Sequence, residues 1–371
     1  MDGQYGDSTR SVTASATLGI AGAPVSTPPV PASAYHLSAD ESAPQDVYGR
    51  SSNPTWRHLE SALATLEGAT AALSFSSGMA AITSVLRVLA TPGKRLVVPA
   101  DGYYQVRAYA LESLVPQGVE VVTASASEMC DAAEHADVVL AETPVNPTLD
   151  VVDLHRLALT CRSRGATLVV DNTTPTPFGQ QPLSLGADLV VASATKALAG
   201  HGDVLAGYAA GCHADLMAAV ERERLLSGAI LGPFEAWLVL RSLGSAGLRF
   251  ERQCHNALAV AVMLRAHPAV RSVRYPGLPE DPSHEVASRQ MRRFGGLVSI
   301  ELADAAAVHD LASRSALLVA ATSFGGIHSS VDRRARWGDP VSDGFARLSL
   351  GIEDTDDLVA DIDHALQRAS R

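Results

Sequence analysis

Two polar segments each follow a run of β-branched residues: Val169-Val170-Asp171-Asn172-Thr173 and Val190-Val191-Ala192-Ser193-Ala194-Thr195-Lys196. Ligands of open α/β sheets bind beyond the carboxyl ends of parallel strands, so both segments could face one ligand. A lysine just past a buried strand is partly desolvated, which lowers its pKa and frees the amine for Schiff-base chemistry with a carbonyl. A carboxylate on the neighbouring strand end suits a protonated ring nitrogen. Ser193 and Thr195 add hydroxyl donors for a phosphate. Taken singly, Lys196 could be a solvated charge and Asp171 a turn residue; taken together they favour the chemical reading.

A second phosphate element is Phe75-Ser76-Ser77-Gly78-Met79-Ala80-Ala81, where a strand runs into a helix. Glycine lets the backbone approach an anion, and the free amides of a helix N-terminus favour negative charge. Arg347, in Arg347-Leu348-Ser349, matches a carboxylate geometrically and could fix an amino-acid substrate, or form a surface ion pair instead. His201 and Asp203 have a metal-like spacing, but no third ligand is in view and no metal is expected. The Gly200-x-Gly202 pair lacks the third glycine of a dinucleotide fingerprint. His255 and His284 read as structural.

These residues need a scaffold. The short apolar runs Leu96–Val98, Val119–Val122, Val138–Leu140, Leu168–Val170 and Leu189–Val191 alternate with helical patterns, as in a mostly parallel sheet buried on both faces. Ala71–Phe75 reads as another strand, and residues 56–67 as a helix stopped by Gly68. Residues 1–50 are Ser-, Ala- and Pro-rich, and read as an irregular arm. A long helical stretch at 245–270 leads into a second α/β region with strands at 270–274, 297–302 and 345–350. An amphipathic helix follows, from about Asp354 to Arg368. The expected division is an arm (1–50), a large domain (51–245) and a C-terminal α/β domain (246–371).

A net charge of −11 argues against a nucleic-acid-binding face. No apolar run approaches the ~18–20 residues of a membrane span. The four cysteines are scattered, without metal or disulfide spacing. No leader pattern precedes them, and a cytoplasmic protein is expected.

Six motifs in order extend the case: Tyr48-Gly49-Arg50-Ser51-Ser52-Asn53-Pro54-Thr55, Ser76-Ser77-Gly78-Met79, Glu142-Thr143-Pro144-Val145-Asn146-Pro147, Asp171-Asn172-Thr173, Ser193-Ala194-Thr195-Lys196 and Arg347-Leu348-Ser349-Leu350-Gly351. From about residue 9 to the C-terminus, the chain resembles the Cys/Met-metabolism family of pyridoxal-phosphate enzymes. That family has the fold-type I architecture: a large domain with a mostly parallel sheet between helices, and a smaller C-terminal α/β domain. Asp281-Pro282-Ser283-His284, Thr322-Ser323-Phe324-Gly325-Gly326 and Arg333-Arg334-Ala335-Arg336-Trp337-Gly338 carry a closer likeness to the actinobacterial cystathionine γ-lyase-like members.

The resemblance implies pyridoxal 5'-phosphate bound as a Schiff base to Lys196, its ring nitrogen held by Asp171 and its ring stacked on Tyr103. Ser77, Gly78, Met79, Ser193 and Thr195 would hold the phosphate. Tyr48 and Arg50 would reach it from a neighbouring subunit, implying a homo-oligomer with shared sites, a dimer of dimers. Asn146, Ser329 and Arg347 would surround the substrate carboxylate. The chain departs from the family after Tyr103, where Tyr104-Gln105-Val106-Arg107 stands, and at His328; Tyr104, Gln105 and His328 are the candidate specificity residues.

The implied reaction is γ-elimination on a γ-substituted amino acid, cystathionine first among them. γ-Replacement by a synthase, β-elimination, and expulsion of another γ-group, such as halide from a chlorinated allylglycine to give propargylglycine, use the same residues. A silent cofactor-binding protein is the reading from another class, and the intact Lys196, Asp171 and Tyr103 argue against it.

Overall fold

The computed structural model describes residues 5–16, 19, 21, 22, 24–39 and 44–367. The expected end of the last helix at Arg368 lies outside them. Seven strands form one sheet: β1 (Ala71–Phe75), β2 (Arg95–Pro99), β3 (Glu120–Ala124), β4 (Val138–Glu142), β5 (Thr167–Asp171), β6 (Leu189–Ala192) and β7 (Gly207–Gly211), in the order β1-β7-β6-β5-β4-β2-β3. All neighbours pair in parallel except β7, which runs antiparallel to both β1 and β6.

Alternation along the strands explains why both faces are buried. Leu168 and Val170 of β5 enter one core cluster and Val169 another, on the opposite face. Likewise Val190 and Ala192 of β6 part from Leu189 and Val191. Each fully buried valine or leucine contributes about 1.5–3 kcal/mol, so these runs pin the register that puts Asp171 opposite Glu142 on one side and Val191 on the other.

Local signals set the helix ends. In α2 (Pro54–Glu67) the Asn53 side chain accepts from Thr55 N, proline sits in the first turn, and Gly68 closes the end at φ 68°. In α3 (Gly78–Leu89) the Ser77 hydroxyl accepts from Ala80 N at 3.0 Å. The second sheet, in the order β10-β11-β12-β9-β8, comprises β8 (Ser272–Arg274), β9 (Leu297–Glu301), β10 (Val319–Ala320), β11 (Ser330–Arg333) and β12 (Phe345–Ser349). Helices α4 (Ala246–Ala266) and α5 (Thr355–Gln367) are among those covering it, sharing its core through Val260, Leu264, Leu358 and Ile362.

The N-terminal arm departs from the irregular chain expected. Residues Asp7–Ala14 form helix α1, held by polar contacts that leave no hydrophobic period to read. Ser11 donates to Leu243 O, Arg10 to Leu66 O, and Asp7 pairs with Arg10 and Arg293. Strands β7, β10 and β11 are also additions. In β7 the reason is its Gly-Tyr-Ala-Ala-Gly composition: a Cβ on Gly207 would stand 2.1 Å from Ser77 O, so close approach to the α3 turn requires glycine. Among the described residues no helix is long and apolar enough to cross a membrane.

Candidate active site

The carboxyl ends of β4, β5 and β6, the N-terminus of α3 and the segment after β2 open on one cavity of about 410 Å³, closed from the other side by β12 and the 322–337 segment. Its lining includes Ser77, Gly78, Met79, Tyr103, Asn146 and Asp171. It also includes Ser193, Thr195, Lys196 and Arg347. Ten of the expected residues therefore share one space, although they come from six separate stretches of chain.

Asp171 is buried, and its Oδ1 accepts from Thr173 N at 2.9 Å and from Thr173 Oγ1 at 2.5 Å. Burial pushes its pKa up, while the Thr173 bonds and the Lys196 charge pull the other way. Glu142, its cross-strand neighbour, is also buried; desolvation and then the Asp171 charge push it to about 8. Both carboxyls of the pair are thus raised, chiefly by desolvation. The Glu142 oxygens accept from Tyr103 N (2.7 Å) and Asn146 N (2.9 Å), which ties both segments to β4.

Lys196 is half-buried, and its pKa falls to about 8, first through desolvation and then through the Arg347 and Arg334 charges. The Nζ donates to Ser323 Oγ at 2.6 Å. Arg347 is 2% exposed, donating from Nη1 to Asn146 Oδ1 (2.7 Å) and from Nη2 to Ser323 O (2.6 Å). Burial lowers it to about 10, and its Nε has no partner. Asp332 Oδ2 stands 3.6 Å from Arg347 Nη2, and the guanidinium on the cavity wall is a candidate partner for an anionic group.

At the opposite end, a Cβ on Gly78 would meet Ser193 Cβ at 2.7 Å. Only glycine fits, and the α3 amides lie against the Ser193–Thr195 turn, a cradle suited to phosphate. Cradle, buried carboxylate and depressed lysine lie along one cavity. Their chemistry fits pyridoxal phosphate: a dianion, a pyridine nitrogen and an aldehyde.

Some expectations need correction. Ser329 is fully buried, but its hydroxyl donates to Glu353 and accepts from Gly351 N; it does not line the cavity. Ser323 stands beside Arg347 instead, in the Thr322–Gly326 motif, at φ 72°. Gln105 and His328 are exposed and off the cavity, whereas Tyr104 lines it. Arg334 and Trp337 also line it, Arg334 being held by Asp332 and Asp339. Tyr48 and Arg50 are exposed and line no part of this chain's cavity; Arg50 donates to Leu225 O at 2.9 Å.

The fold and the lysine–aspartate site define a fold-type I pyridoxal-phosphate-dependent enzyme. The chain belongs to the Cys/Met metabolism PLP-dependent enzyme family, which matches residues 9–367. A Streptomyces coelicolor protein named "Putative cystathionine gamma-lyase" is 48% identical over 372 residues, covering 98% of this chain and 94% of that one. The cystathionine gamma-lyase of Bacillus subtilis is 37% identical, covering 86% and 88%. Among solved structures, a cystathionine gamma synthase from Xanthomonas oryzae in complex with cystathionine superposes with a TM-score of 0.92 at 34% identity, covering 99% of each chain.

Proposed function

We propose that the enzyme performs γ-elimination on a γ-substituted L-amino acid, with L-cystathionine and water giving cysteine, 2-oxobutyrate and ammonia. The observation that carries this reading is the Lys196 amine, depressed to about 8 and 2.6 Å from the serine that also accepts from Arg347. Bound pyridoxal phosphate supplies the electron sink for carbanion chemistry at the substrate's Cα and Cβ.

The chain's own residues divide the remaining work. Arg347, with Asn146 and Ser323, holds the substrate carboxylate, the guanidinium supplying a two-point fork. Lys196 Nζ takes the Cα proton and returns it. The Tyr103 phenol, its pKa raised chiefly by burial, stays protonated and donates to the departing γ-group. Asp171, fixed by Thr173, holds the ring nitrogen's proton in place. Gly78, Met79, Ser77, Ser193 and Thr195 grip the phosphate.

Tyr48 and Arg50, exposed and away from their own cavity, support a homo-oligomer in which each arm completes a neighbouring site. Residues 51–245 would then be the cofactor domain, 246–371 the substrate-side domain, and the compartment the cytoplasm. Similarity to the Xanthomonas synthase favours γ-replacement as the second reading. Incubating holoenzyme with L-cystathionine, and separately with O-succinyl-L-homoserine plus cysteine, decides the matter by mass spectrometry. Cysteine with 2-oxobutyrate supports the lyase, and net cystathionine formation supports the synthase. Homocysteine with pyruvate would indicate β-elimination.

A further inference from the structure

Helix α4 carries a polar stripe on its buried face. Arg249, Gln253 and Asn256 recur at helical spacing and are 5%, 1% and 0% exposed, where apolar side chains are the ordinary choice. All three donate to main-chain carbonyls. Arg249 reaches Ala197 O and Leu198 O at 2.8 Å each, directly behind Lys196. Gln253 Nε2 reaches Gly326 O at 2.8 Å and Gly325 O at 3.2 Å. Asn256 holds Gly351 O and Glu353 O, away from the cavity.

The segment that Gln253 grips is the one carrying Ser323. At φ 72° Ser323 occupies the left-handed region, which a non-glycine residue keeps only where its surroundings fix it. Forward, its hydroxyl accepts from Lys196 and its carbonyl from Arg347. Below, Gly325 lies on the active-site strand end: a Cβ there would stand 2.5 Å from Ala197 N. Behind stand the Gln253 amide and the Ser349 hydroxyl, which accepts from Gly325 N at 2.9 Å.

We infer that Gln253 is a positioning residue for substrate recognition: by bridging the Gly325 and Gly326 carbonyls, it holds Ser323 at the spacing that lets Lys196 and Arg347 share it. This rests on reading Arg347 and Ser323 as the carboxylate clamp. It makes α4 the brace between the lysine segment and the substrate-side segment, through Arg249 and Gln253 one turn apart.

The test combines hydrogen exchange on the cofactor-free protein with kinetics on the holoenzyme. In Gln253→Met, residues 322–326 should exchange about tenfold faster. The KM for L-cystathionine should rise about tenfold with a smaller change in kcat, and the visible absorbance of bound cofactor should stay unchanged. Gln253→His, which retains one donor, should recover part of the KM. Asn256→Ala should lower Tm without moving the 322–326 exchange or the KM. Should Gln253→Met not fold, Gln253→Asn, with its shorter reach, is held to the same two readouts.

Unchanged exchange at 322–326 overturns the proposal, as does an equal KM rise in Asn256→Ala. Loss of cofactor absorbance in step with activity also overturns it. If the holoenzyme does not consume L-cystathionine, the proposed reaction fails, while the exchange comparison still decides the role of Gln253.

Discussion

Changing pH on the cofactor-free protein should expose the Lys196 amine well before ordinary lysine chemistry allows. Desolvation, with the Arg347 and Arg334 charges, lowers its pKa from 10.5 to about 8. That change favours the neutral amine. At pH 7 about one molecule in ten then carries a free amine, against about one in three thousand without the shift, a gain of about 300-fold. The sign follows from burial, which penalises the ammonium and leaves the amine. The sequence has only two lysines, and Lys94, on the surface in an ion pair with Asp137, is the internal comparator. Trace acetylation across a pH series, read peptide by peptide by mass spectrometry, measures both. Lys196 labelling should rise tenfold per pH unit and level off above about pH 8. A Lys196 curve that keeps climbing to about pH 10 refutes the electrostatic reading.

Three further outcomes follow from the geometry. Gly78→Ala drives a methyl to 2.7 Å from Ser193 Cβ, so phosphate binding should weaken by about tenfold or more, measured by equilibrium dialysis of pyridoxal phosphate. Asp171→Asn removes the charge that holds a protonated ring nitrogen. It should keep a reducible lysine adduct while kcat falls at least about a hundredfold, in a steady-state assay of the holoenzyme. Mixing Tyr48→Ala with Lys196→Ala protein after co-refolding should restore part of the activity, because one site in the mixed oligomer receives both an intact lysine and an intact arm; no recovery contradicts a shared site.

Legibility followed physics. Strands β2 and β4–β6 were readable because burial on both faces demands continuous Val/Leu runs; β7, a Gly/Ala strand chosen for close approach, offers none. Helix α1 was missed because Asp7, Arg10 and Ser11 hold it by polar bonds to distant segments. Lys196, Asp171 and Gly78 were readable because each lies at or within four residues of the carboxyl end of a strand. Ser323 was not: its role depends on a positive φ and on a helix about seventy residues earlier, which no local spacing encodes. Ser329 was misplaced because adjacent serines look alike in sequence, while burial turns this one toward Glu353. His328 and Gln105 departed from the family pattern but do not line the cavity, whereas Tyr104, Arg334 and Trp337 do.

The central claim is that Lys196 carries the cofactor. Borohydride reduction of the purified holoenzyme, followed by peptide mass spectrometry, tests it directly. A phosphopyridoxyl group on Lys196, absent from Lys94 and lost in Lys196→Ala, is the predicted result. An unmodified Lys196 peptide from protein that retains activity would contradict the account.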